Sequence, residues 1–115
     1  MRRDLCAYLQ DVLDAAESIL IFTDGISYET FESLDLTLSG VKYKLEVIGE
    51  GLKQASRYFP SLLDSVSEAK FAIQLRDRIA HGYFSIDPQV LWATIKDDLP
   101  LLIEQIERLK SISCT

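Results

Sequence analysis

The stretch Leu5-Cys6-Ala7-Tyr8-Leu9-Gln10-Asp11-Val12-Leu13-Asp14-Ala15-Ala16-Glu17-Ser18-Ile19-Leu20-Ile21-Phe22 sets Leu5, Tyr8, Leu9, Val12, Leu13, Ala16, Ile19 and Leu20 at three- and four-residue steps. Apolar side chains at that step fall on one stripe of an α-helix, whereas a half-buried strand needs every second residue apolar. Asp24-Gly25 ends this first helix, and Ser27 can cap a short turn through Phe31. The same step resumes at Leu36, Leu38, Val41, Leu45, Val47, Ile48, Leu52, Ala55 and Phe59, and Pro60 ends it because proline lacks the N–H that a helix would use. Gly40, Gly49 and Gly51 each cost about 1 kcal/mol there relative to alanine. Close helix-helix approach inside one chain, or a partner surface around Val47 to Leu52, is the compensation to look for.

Ser67-Glu68 suits the start of a third long helix, with Phe71, Ala72, Leu75 and Ile79 as its buried stripe and Gly82 as its end. Asp87-Pro88 pairs a cap with a proline at the first helical position. It opens a last helical region through Val90, Leu91, Trp92, Ile95, Leu99, Leu102, Ile103, Ile106 and Leu109, which Pro100 should kink or divide. No turn dipeptide separates two alternating runs, so no strand pair is expected. The expectation is an all-α, up-and-down bundle of about four to five helices, with residues 1–115 forming one domain.

Hydrophobic residues make up 48% and charged residues 26%, the balance of a chain that folds throughout. The formal net charge of −6 excludes a general positive field, so any contact with nucleic acid must be local. The two cysteines, Cys6 and Cys114, lack the spacing of a zinc site or a disulfide framework and read as free thiols in a reducing compartment. No apolar run approaches the roughly 20 residues that span a bilayer, and the start lacks a signal peptide's apolar stretch. These features point to a soluble, cytoplasmic protein.

His81 is the sole histidine, and its imidazole alone has an unperturbed pKa near neutrality. An imidazole near a helix end can also simply satisfy the last carbonyls. Its neighbours widen the possibilities. Asp77, four residues earlier, lies on nearly the same helical face, where its carboxylate can orient the ring. Arg76 lies about 140° away on an ideal helix, so meeting His81 at one phosphate requires the reach of Arg and some unwinding near Gly82. Arg78, three residues before His81, is the better helical neighbour and a candidate phosphate contact. Guanidinium and imidazole together can cut RNA without metal, Arg holding the phosphate while His moves protons at the 2′-hydroxyl and the leaving oxygen. No HExxH, paired-His or Cys-His spacing offers a metal site, and no cofactor is expected.

Several segments extend the pattern: Tyr8-Leu9-Gln10-Asp11-Val12-Leu13, Leu45-Glu46-Val47-Ile48-Gly49-Glu50, and Arg76-Asp77-Arg78-Ile79-Ala80-His81-Gly82-Tyr83-Phe84 followed by Ile86-Asp87, then Leu91-Trp92 and Leu99-Pro100. In this order and spacing the chain resembles, nearly end to end, the HEPN superfamily (higher eukaryotes and prokaryotes nucleotide-binding) and its HepT-like toxin branch. The resemblance implies a metal-independent RNA endonuclease that cuts tRNA or mRNA as the toxin of a type VII-like toxin-antitoxin pair. It implies a homodimer with Arg76 and His81 of both subunits in an interface cleft and Asp77 at the polar position after the arginine. It implies an MntA-like nucleotidyltransferase antitoxin that transfers AMP onto Tyr83, adding charge and bulk two residues from His81. In such a dimer Arg78, together with Lys70 or Lys53, would concentrate positive potential for RNA. The competing expectation is a non-catalytic helical partner of a nucleotidyltransferase that binds RNA or nucleotide through the same motif.

Overall fold

The computed structural model describes residues 4–82 and 86–114, and among them all regular structure is helical. The helices are α1 (Leu5–Thr23), α2 (Tyr28–Ser33), α3 (Asp35–Tyr58), α4 (Leu62–Ser65), α5 (Ala69–His81), α6 (Pro88–Ala93) and α7 (Leu99–Ser113), with a π-helical turn (Thr94–Asp98) joining the last two. α3 lies centrally and packs along both α1 and α5, while α7 returns along α1. A 24-residue helix rises about 36 Å, so α3 alone accounts for most of the 41 Å long dimension.

The stripes read from the sequence converge on one core: Leu9, Val12, Ala16 and Ile19 meet Val41, Ile48, Leu52 and Ala55, with Leu75, Leu91, Ile95 and Ile106 closing the far side. The short α2 starts where expected, with the Ser27 hydroxyl accepting from the Thr30 N–H at 3.2 Å. It delivers Phe31, fully buried, against the Trp92 ring at 5.0 Å. Asp87 caps α6 by accepting from the Gln89 N–H at 2.9 Å, with Pro88 in the first turn as read.

Some positions differ from expectation. Phe71, assigned to a buried stripe, is 38% exposed. α5 begins at Ala69, and Ser67 makes no cap to it; Gln105 of α7 serves instead, accepting from the Glu68 N–H at 3.1 Å while donating to the Ser67 hydroxyl at 2.8 Å. That partner lies 38 residues from Ser67, beyond the reach of any local capping rule. Pro100 does not stop the last helical region, but as expected the region is divided beside it, a π-helical turn separating α6 from α7 with Pro100 in the first turn of α7. The wider π-helical turn lies just before it, where an α-helical carbonyl would clash with the proline ring, and helical dihedrals run on through Leu99.

The free-thiol expectation is overturned: Cys6 and Cys114 form a disulfide with their Cα atoms 5.9 Å apart. α1 and α7 run antiparallel, as Lys110 donating to the side-chain oxygen of Gln10 also shows, so the beginning of one helix lies beside the end of the other. A separation of 108 residues hides that neighbourhood from any spacing rule. No helix among the described residues is long and apolar enough to cross a membrane.

Candidate functional site

Every glycine of α3 has a neighbour within reach of a side chain it lacks. A Cβ on Gly40 would stand 3.2 Å from the Phe22 ring, and one on Gly51 would stand 3.3 Å from a Val12 methyl. Gly49 is far tighter: a Cβ there would fall 2.1 Å from Cβ of Arg76 and 2.8 Å from the Ala72 carbonyl oxygen. α3 and α5 therefore touch backbone to backbone at this point, which only glycine permits. Close helix packing within the chain is thus a compensation for the three glycines, and Ile48, Gly49 and Leu52 are buried in it.

The crossing at Gly49 places the stem of Arg76 across α3, and its guanidinium meets the next residue of that helix. Nη2 of Arg76 lies 3.2 Å from a carboxylate oxygen of Glu50, and Nη1 donates to a carboxylate oxygen of Asp77 at 3.1 Å. The same Asp77 oxygen is 3.9 Å from Nζ of Lys53. Glu50, Lys53, Arg76 and Asp77 thus form a charge-balanced cluster across two helices. The Arg76 side chain is 21% exposed, whereas those of Glu50 and Asp77 are about twice as open at 40% and 41%. Its Nε–H is fully buried with no hydrogen-bond partner among the described residues. An orphaned buried donor costs about 1–3 kcal/mol, so the rest of the cluster must hold the guanidinium firmly.

His81 is the last residue of α5. Gly82 follows at φ 62°, the left-handed conformation that glycine adopts without penalty, and ends the helix there. Nδ1 of His81 lies 2.7 Å from the backbone oxygen of Asp77. A carbonyl oxygen can only accept, so Nδ1 carries the proton, and in the neutral ring Nε2 is then the basic nitrogen. The Asp77 carboxylate, expected to orient the ring, is turned to Arg76 and Lys53, and the imidazole meets the main-chain oxygen of Asp77 instead, one of the last carbonyls of α5 that an imidazole at a helix end can satisfy. One residue thereby links the two candidate catalytic groups.

Arg78 is exposed on α5 between these groups. Lys70 is exposed in the first turn of α5, about 16 Å along the helix from His81, so one subunit alone does not bring it to the cluster. Tyr83 lies outside the described residues. No three His, Cys, Asp or Glu side chains gather as metal ligands would among the described residues. Sequence reasoning assigned no role to Glu50, although it stands in the Ile-Gly-Glu segment already singled out, whereas Gly49 was expected to permit the close helix-helix approach found here. A glycine followed by an acid on a helix otherwise selected for burial was the available signal.

A family model described as "Ribonuclease HepT-like" matches residues 12–109, a span that contains the whole cluster and His81. Among curated proteins, a "Probable ribonuclease HepT" of Thermococcus cleftensis is 36% identical over 96% of this chain and 99% of its own length. A protein of Methanocaldococcus jannaschii described as a "Putative RNase" is 32% identical over 92% of this chain and 96% of its own. Another described in the same words, from Caldanaerobacter subterraneus, is 28% identical over 89% of this chain and 90% of its own. No solved structure matches.

Proposed function

The chain belongs to the HepT-like ribonuclease family, and from that premise we propose that it is a metal-independent RNA endonuclease with Arg76, Asp77 and His81 as its working residues. The observation that carries the proposal is the double use of Asp77, whose carboxylate holds Arg76 and whose backbone oxygen holds His81. Nε2 of His81 takes the proton of a ribose 2′-hydroxyl as its oxygen attacks the adjacent phosphorus. Arg76 stabilises the charge that builds on the non-bridging oxygens, and the bond to the 5′ oxygen breaks as that oxygen receives a proton. The products are a 2′,3′-cyclic phosphate and a 5′-hydroxyl.

A homodimer that apposes two such sites would supply two copies of His81, one as base and one as acid, and would add Arg78 and Lys53 from both subunits to the phosphate track. The substrate is tRNA or mRNA. The activity is that of a toxin, neutralised when a nucleotidyltransferase antitoxin transfers AMP to Tyr83. A nucleotide at that place, two residues from His81, would put negative charge where substrate phosphate sits.

The neutralisation of Arg76 by Glu50 and Asp77 favours a second reading, a non-catalytic partner of a nucleotidyltransferase that binds RNA or nucleotide. The two separate on incubation of the protein, with Tyr83 shown unmodified by mass, with total RNA in EDTA beside its His81→Ala variant. Cyclic-phosphate ends formed by the wild type alone support the nuclease. No ends from either protein support the second reading, and equal ends from both would remove His81 from the working residues.

A further inference from the structure

We infer that Glu50 is the positioning residue for Arg76, an inference that rests on the nuclease reading and assigns this residue a role in it. Arg76 is restrained at two places by consecutive residues of α3. Its Cβ and Cγ lie against Gly49, each within 3 Å of where a Cβ on that glycine would stand, and its Nη2 lies 3.2 Å from the Glu50 carboxylate. Asp77 holds Nη1 from the same helix as Arg76 itself, so Glu50 is the contact that ties the guanidinium to α3.

Arginine carries five N–H donors. One on Nη1 and one on Nη2 face the two carboxylates, and the Nε–H is shut away from solvent. The second donor of each Nη is the group left for a phosphate. Their directions are set once the guanidinium plane is set, and the plane is set by Glu50 and Asp77 pulling on different nitrogens. An arginine side chain otherwise samples many rotamers, and this arrangement restrains them before substrate arrives. Orientation paid in advance appears in the chemical step rather than in ground-state binding. Glu50 does not touch the reacting atoms; it acts through Arg76.

Loss of the carboxylate should therefore lower kcat with little change in KM. If Glu50 merely neutralised Arg76, its loss would strengthen phosphate binding and lower KM. Gln at position 50 keeps an oxygen that can accept from Nη2 and separates geometry from charge.

The test is single-turnover and steady-state cleavage of one RNA by wild type, Glu50→Ala and Glu50→Gln, with thermal unfolding to confirm the folded state. It is joined by NMR of the arginine side chains, in which slow rotation about the Cζ–Nη bonds marks a held guanidinium. Glu50→Ala should lower kcat by about 10- to 100-fold at nearly constant KM, and Glu50→Gln should recover most of it. Slow rotation at Arg76 in the wild type should quicken in Glu50→Ala to that of the exposed Arg57.

Unchanged or faster cleavage by Glu50→Ala, or Arg76 rotation indifferent to the substitution, would overturn the positioning role while the nuclease stands. A wild type that cuts no RNA overturns the nuclease reading, and the catalytic role of Glu50 with it. The rotation measurement then still decides whether Glu50 holds the guanidinium.

Discussion

Gly49 is the position at which one methyl group separates a packed site from a displaced one. Its missing Cβ would meet Cβ of Arg76 and the backbone oxygen of Ala72, neither of which can swing aside as the far end of a flexible chain could. Gly49→Ala should therefore destabilise the protein by about 2–3 kcal/mol despite the better helix propensity of alanine, and cleavage should fall with it as Arg76 is pushed from its partners. Gly51→Ala and Gly40→Ala provide the contrast. They meet a methyl and a part-exposed ring at 3.3 and 3.2 Å, and the propensity gain of about 1 kcal/mol should leave their stability equal to the wild type or above it. Denaturant unfolding of the three variants checks the order, and equal losses at all three would contradict the backbone contact at Gly49. The role of Asp77 divides at the same scale. Asp77→Asn should disturb Arg76 and Lys53 while sparing the backbone bond to His81, so cleavage should fall by less than in His81→Ala.

At the scale of elements, the Cys6–Cys114 bridge joins the start of α1 to the end of α7. A cross-link closing so long a loop typically contributes about 2–4 kcal/mol. Cys6→Ser should lower Tm relative to the oxidised wild type, and dithiothreitol should lower the wild type to the level of the variant while leaving the variant unmoved. A wild type indifferent to dithiothreitol would show the two thiols unjoined in solution. The bridge also removes the free-thiol ground on which a reducing compartment was expected.

The π-helical turn carries a second effect. Burial, assisted by the neighbouring Asp97, raises the Asp98 carboxyl above its ordinary pKa. A carboxyl raised in the folded state opposes folding once charged. Its charge costs nothing below the unfolded pKa of about 3.9, and stability then declines as pH rises toward the folded value. Asp98→Asn should remove that decline, seen as a flatter stability profile across mildly acidic pH.

For the molecule as a whole, the net charge of −6 confines RNA recognition to a few cations. With up to about six phosphate contacts, from Arg76, Arg78 and Lys53 of two subunits, log affinity should fall against log salt with a slope no steeper than about −4, shallower than for a strongly basic RNA-binding domain. A slope several times steeper would place the contact surface elsewhere. The proposed dimer should sediment at about twice the 13.0 kDa of one chain, and His81→Ala should leave that mass unchanged.

The helices were legible because burial imposes a period, and the three- and four-residue recurrence through Val12, Ile19, Val41, Leu52 and Leu75 is the same stripe that the core buries. Caps were legible where the partner is local, as at Ser27 and Asp87. The order of the Arg76 to His81 segment also placed the family before any coordinate was known. Contacts between distant residues were not legible. Gln105 at the start of α5, Cys6 beside Cys114, and Gly49 beneath Arg76 each join positions whose separation in the chain says nothing of their separation in space. The sequence by itself determined the long helices, most of the stripe each buries and which family the chain enters, because periodicity and local capping act within a few residues, while α4 and the exposure of Phe71 escaped it. Only the tertiary structure decided that the Asp77 carboxylate serves Arg76 rather than His81, and that Glu50 grips the guanidinium, because helix crossing sets those distances.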